Sequence, residues 1–136
     1  MNIIDIQNGN LNIPGVNTIT PAMDYDVLKQ NLLDKNIDFT YEDHYNNLFG
    51  SIYINKIESG DTTFQFELHF NNKKLTGITL GFTTTDTPQD IESKLQCYQE
   101  WVTIIKGMET DIPWGSILAE IHPRFDVPII SVRYNL

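Results

Sequence analysis

Phe64, Phe66, Leu68 and Phe70 alternate with Thr63, Gln65, Glu67 and His69. A period of two places the apolar side chains on one face of a β-strand and the polar ones on the other. Turn-forming residues bound the run, Ser59-Gly60-Asp61 before it and Asn71-Asn72-Lys73-Lys74 after it. Beyond the turns the alternation resumes, with Ile52 and Ile54 upstream and Ile78, Leu80 and Phe82 downstream. Turns this short join antiparallel neighbours, because a parallel pair needs a crossover of roughly a dozen residues or more. The chain is therefore committed to a central meander with one buried and one wet face.

The flanks supply the layer that covers the buried face. Ile4, Ile6, Leu11 and Ile13 surround Asn8-Gly9, which predicts an N-terminal hairpin. Asp24 is a helix cap with Asp26 in the positive first turn, and Val27, Leu28, Leu32 and Leu33 follow, so a helix is predicted over about 24–35. Asn36 is its left-handed stop. A strand is expected at Ile37–Glu42, interrupted by Asp43-His44-Tyr45-Asn46-Asn47. Thr87-Pro88-Gln89-Asp90 reads as a capped start for a second helix over 88–106, with Ile91, Leu95, Tyr98, Trp101, Val102 and Ile105 as its apolar stripe and Gly107 as its end. Two C-terminal strands follow, one carrying Ile117, Ala119 and Ile121, the other Ile129–Tyr134. The sum is an α+β fold. A mostly antiparallel sheet, built from an N-terminal hairpin, a central meander and a C-terminal hairpin, carries two helices on one face.

A length of 136 residues suits one domain, 1–136, without covalent staples. Eighteen Asp and Glu against nine Lys and Arg give a net charge of −9, which opposes phosphate binding and adhesion to anionic lipid. The expectation is no nucleic-acid and no membrane partner. Cys97 is the sole cysteine, so neither a disulfide framework nor a cysteine zinc site is available. No apolar run is long enough to span a bilayer, and residues 1–7 lack a secretory leader. Cytoplasmic residence is expected.

Candidate chemistry is sparse. His44, His69 and His122 have no short ligand spacing, so only the fold can bring them together, and no metal or cofactor is expected. Cys97 lies mid-helix with Lys94 as its only local cation, which reads as a half-buried structural thiol. His122-Pro123-Arg124-Phe125-Asp126 is the richest polar loop, and an Arg124–Asp126 pair that stiffens a turn is its simpler reading. Trp101 is placed in the core, and Trp114, between Pro113 and Gly115, closes its end. No nucleophile elbow or phosphate-cradling glycine loop is present.

The charge is unevenly spread. Asp24, Asp26, Asp34, Asp38, Glu42 and Asp43 face only Lys29 and Lys35 in their stretch of chain, and Tyr25, Tyr41 and Tyr45 are interspersed. Such a face reads as solvated, or as a docking surface for a basic partner in which Tyr41 and Tyr45 supply buried area. The wet side of the phenylalanine-rich strand, Gln65, Glu67 and His69, is the second candidate surface.

The helix ending near Trp101, the Pro113-Trp114-Gly115-Ser116-Ile117 segment, the His122-Pro123-Arg124 to Ile129–Tyr134 hairpin and the Phe70-Asn71-Asn72-Lys73-Lys74-Leu75 turn together resemble a pattern in small acidic bacterial proteins. Those proteins are mostly of unknown function, and some are immunity partners of polymorphic, contact-dependent inhibition toxins. The resemblance implies a non-enzymatic inhibitor that masks a basic toxin. A small-ligand or enzymatic domain, with a pocket between sheet and helices touched by His69 or His122, is the alternative, and a structural subunit of a larger assembly is a third.

Overall fold

Six antiparallel strands form one sheet in the order β1-β2-β3-β4-β6-β5, in a computed structural model that describes residues 3–44, 49–108 and 112–135. The strands are β1 (Thr40–His44), β2 (Phe49–Ser59), β3 (Thr62–Asn71), β4 (Lys74–Thr83), β5 (Gly115–Ile121) and β6 (Pro128–Tyr134). The helices are α1 (Tyr25–Asp34) and α2 (Ile91–Lys106). The expected α+β class, with meander and C-terminal hairpin, is what the chain adopts.

Two irregularities keep the buried face continuous. In β2 the register shifts between Ile54 and Ile57, so that Ile52, Ile54 and Ile57 all face inward although their spacing is uneven. In β4 a shift beside His69/Phe70 skips Thr76 and returns Ile78, Leu80 and Phe82 to the side of Leu75. Both bulges preserve burial at the cost of one clean alternation.

The helices lie on that buried face. The Tyr25 ring meets Phe70 edge-on, with centroids 5.0 Å apart, and Tyr98 and Trp101 pack on Phe82 at 4.7 and 5.6 Å. Tyr98 also completes the sheet. β6 pairs with β4 only from Gly77 to Leu80, and beyond it the Tyr98 hydroxyl accepts from the Phe82 N–H and donates to the Phe82 carbonyl, both at 2.9 Å. Backbone groups that would be orphaned where the strand runs out are thereby satisfied.

Asp24 caps α1 as expected, accepting from the N–H groups of Asp26 and Val27, and Asn36 takes a positive φ just after it. α2 begins later than the sequence suggests. Its cap is Asp90, which accepts from the Ser93 N–H; Thr87 instead accepts from the Thr84 N–H and closes a turn in the preceding loop. Two capping signals three residues apart compete, and the turn takes the first. The inward stripe is correspondingly shorter: Tyr98 and Val102 are buried, Leu95, Trp101 and Ile105 half-buried, and Ile91 is exposed.

The N-terminal hairpin is reduced to isolated bridges, Ile4 with Leu11 and Leu11 with Ile19. The segment is pinned by side chains from the other end of the chain. Trp114 Nε1 donates to the Ile6 carbonyl at 2.7 Å, and the Tyr134 hydroxyl donates to the Gly9 carbonyl at 2.8 Å. Gly9 sits at φ +77°, and a Cβ there would come within 2.6 Å of the Trp114 ring. Trp114 thus closes the end of the core, as its position suggested.

Candidate functional site

The pleat decides which polar side chains share a face. Opposed residues across the sheet give one row, Glu42, Ser51, His69, Gly77, Arg133 and Ser116, and a second, Thr40, Tyr53, Glu67, Thr79, Ser131 and Leu118. Both rows lie on the face away from the helices. From Gly77 to Gly81 the open face of β4 carries nothing larger than Thr79, so the middle of the sheet has a low floor between taller walls. Two depressions, of about 450 and 420 Å³, run end to end along it and share Glu67, Thr79 and Ile129. Together they form a trough.

Gln65, Glu67 and His69 of β3 make one wall; Ile129 and Arg133 of β6 with Glu120 of β5 make the other, and His122 and Pro123 also line it. His69 Nε2 is 2.9 Å from Thr79 Oγ1 and 3.3 Å from Glu67 Oε2. Burial lowers the His69 pKa, Glu67 acts to raise it and His122 to lower it, with burial the largest influence. His122 Nδ1 accepts from the N–H groups of both Arg124 and Phe125. In the neutral ring that leaves the proton on Nε2. Tyr53 lies beside Glu67, its hydroxyl a long 3.4 Å from Glu42 Oε2. Burial first, then Glu67 and Glu42, push its phenol up to about 12.

His69 and His122 therefore converge, whereas His44 stands apart on β1 beside Glu42, with Nε2–Oε2 3.5 Å. Among the described residues no group of three or more His, Cys, Asp or Glu is placed to hold a metal ion. The histidines meet on the open face, not between sheet and helices, where Phe82, Tyr98 and Trp101 fill the space. The Arg124–Asp126 pair is also replaced. His122 organises that turn through its ring nitrogen, with Asp126 at a positive φ and its N–H donating to the His122 carbonyl.

The acidic surface expected from the first helix through the polar loop is divided by β1. The strand runs over Thr40–His44, later than Ile37–Glu42, and takes in Asp43 and His44 from the expected interruption; all five residues are exposed. With water on both faces, it carries no apolar alternation that a sequence reading can follow. Glu42 points to the open face, while Tyr41 and Asp43 point to the helix side, where Lys29 Nζ stands 3.7 Å from the centre of the Tyr41 ring.

Asp43 approaches the buried Tyr25 hydroxyl. That hydroxyl makes no hydrogen bond of good geometry among the described residues, and burial, then Asp43, raise its pKa. Asp24 is occupied as the α1 cap, Asp26 pairs with Lys73 at 3.0 Å, and Asp34 accepts from Gln30. Asp38 is exposed, and Tyr45 lies outside the described residues. Cys97 is half-buried on α2, as expected. No helix among the described residues is long and apolar enough to cross a membrane. Comparison with family models, with curated proteins and with solved structures finds no match.

Proposed function

We propose that this chain is a non-enzymatic, cytoplasmic protein-binding module, an immunity protein that neutralises a basic bacterial toxin by electrostatic and steric masking. One observation carries the reading. None of the described Asp and Glu side chains is buried, and lysine pairs with only Asp26 and Glu58 among them. The negative charge is thus displayed at the surface, largely without internal cations to cancel it. A field of that kind accelerates encounter with a cationic protein and disfavours acidic competitors.

The exposed edge strand β1 adds unpaired backbone groups beside Asp38, Glu42 and Asp43 on one margin of the molecule. Co-expression with the reading frames adjacent to its own in the genome tests the proposal. The expected result is one neighbour that arrests growth alone, is harmless with this chain, and associates at a rate that falls with salt. Reversing the charge of Asp38, Glu42 and Asp43 together should slow association while the fold, followed by circular dichroism, is kept. An unchanged on-rate rejects this margin as the docking surface.

A further inference from the structure

We infer that the turn joining β5 to β6, residues 122–127, is an acid-sensitive latch: it closes on a neutral His122 ring and opens when that ring takes up a second proton. The latch belongs to the fold, whatever partner the chain takes. Two of the hydrogen bonds that shape the turn end on one atom. His122 Nδ1 accepts from the Arg124 N–H at 3.1 Å and from the Phe125 N–H at 3.2 Å. A neutral imidazole has one acceptor nitrogen to offer, and an imidazolium has none. A proton on Nδ1 sets a third N–H against two that already point there, and both backbone donors lose their acceptor.

Little else among the described residues holds the turn. The His122 N–H donates to the Val127 carbonyl at 2.7 Å, and the Asp126 N–H to the His122 carbonyl at 3.0 Å. These contacts must also keep Asp126 at φ +55°, a left-handed conformation that is costly without glycine. Phe125 stacks on the His122 ring with centroids 4.8 Å apart, and the Arg124 guanidinium lies 5.6 Å from the centre of the Phe125 ring. An aromatic face tolerates either form of the imidazole. The Nδ1 contacts tolerate one.

Glu67 and His69 of β3, Glu120 of β5 and Arg133 of β6 line the same depression as His122. Arg124 and Asp126 belong to the turn itself, and Lys94 of α2 lines the adjoining depression with Val127. Among these groups three carboxylates stand against three fixed cations, so neither sign is in excess. The hydrogen bonds at Nδ1 therefore decide which form of the ring the closed turn accepts. Opening withdraws His122 and Pro123 from the wall of the larger depression, so the trough changes shape with pH.

The test is nuclear magnetic resonance of the ¹⁵N-labelled full chain, titrated from about pH 7.5 to about pH 5. At the upper end, two-bond ¹H–¹⁵N correlations of the ring should show His122 carrying its proton on Nε2 alone. As the ring charges, the Arg124 and Phe125 amide signals should move with the ring's own midpoint. Protection of the His122 and Asp126 amides from exchange should fall by at least about tenfold over the same step. These readouts need no variant. His122→Asn replaces Nδ1 with an amide oxygen that accepts from the same backbone donors and takes no proton in this range. Its turn amides should hold still throughout. Burial, and after it a charged His122, work against a proton on His69. His69→Gln removes that neighbour and should leave the response of Arg124 and Phe125 in place. A neutral His122 protonated on Nδ1, turn amides that stay put while the ring titrates, or a wild-type response in His122→Asn would each overturn the inference. Loss of the response in His69→Gln would overturn it too, by assigning the switch to His69.

Discussion

His69 is the residue whose chemistry depends most on its place in the sheet. On an isolated strand it is one of four polar side chains; in the fold it is packed between Glu67, Thr79 and the returning His122 loop. Its lowered pKa means the unfolded chain takes up the proton more readily than the folded one. The stabilisation is therefore complete above the ordinary value of 6.5 and is lost as pH falls through the lower folded value. The urea midpoint should drop between about pH 7 and about pH 5, and His69→Gln should flatten that dependence. Identical slopes for the two proteins would show that another group controls it. Asp24→Ala, which removes acceptors for two backbone N–H groups, should cost about 1 kcal/mol in the same assay.

Elements were legible in the sequence where one face is dry. β3 announces itself through four inward apolar residues, and α1 through a cap, a stripe and a stop. β1 did not, because an edge strand wetted on both faces has no pattern to show, so the division of Glu42 and Asp43 between its two faces was not legible either. The trough was invisible for another reason. It needs β4's small outward residues to lie between β3 and β6, and strand order is not written in local periodicity.

Two substitutions test the elements around the trough. Tyr98→Phe leaves the Phe82 N–H and carbonyl without their partner and should destabilise by about 1–3 kcal/mol in chemical denaturation. Gly77→Ala brings a Cβ to within 2.8 Å of the Val132 carbonyl and forces β4 from β6, with a cost of about 1–3 kcal/mol. Wild-type midpoints would contradict both assignments.

At the scale of the molecule, the two ends of the chain are one structural unit. Trp114 and Tyr134 reach the Ile6 and Gly9 carbonyls, and Ile4, Leu11 and Ile19 are fully buried beneath them. Tyr134→Phe should accelerate amide exchange at Asn10, Leu11 and Ile19 well before it affects β3, because the N-terminal segment has bridges but no ladder of its own. Uniform acceleration across the sheet would instead mean that the segment opens only with the whole fold.

The same scale sets the functional claim, since a net charge of −9 acts as a field before any contact forms. The measurement that bears on it most directly is the association rate with the proposed toxin partner, once purified, across ionic strengths from about 0.01 M to about 1 M, over which the screening length shrinks from roughly 30 to 3 Å. The rate should fall steeply as salt rises, while the off-rate changes little. A flat on-rate would contradict the view that displayed negative charge is what this protein works with.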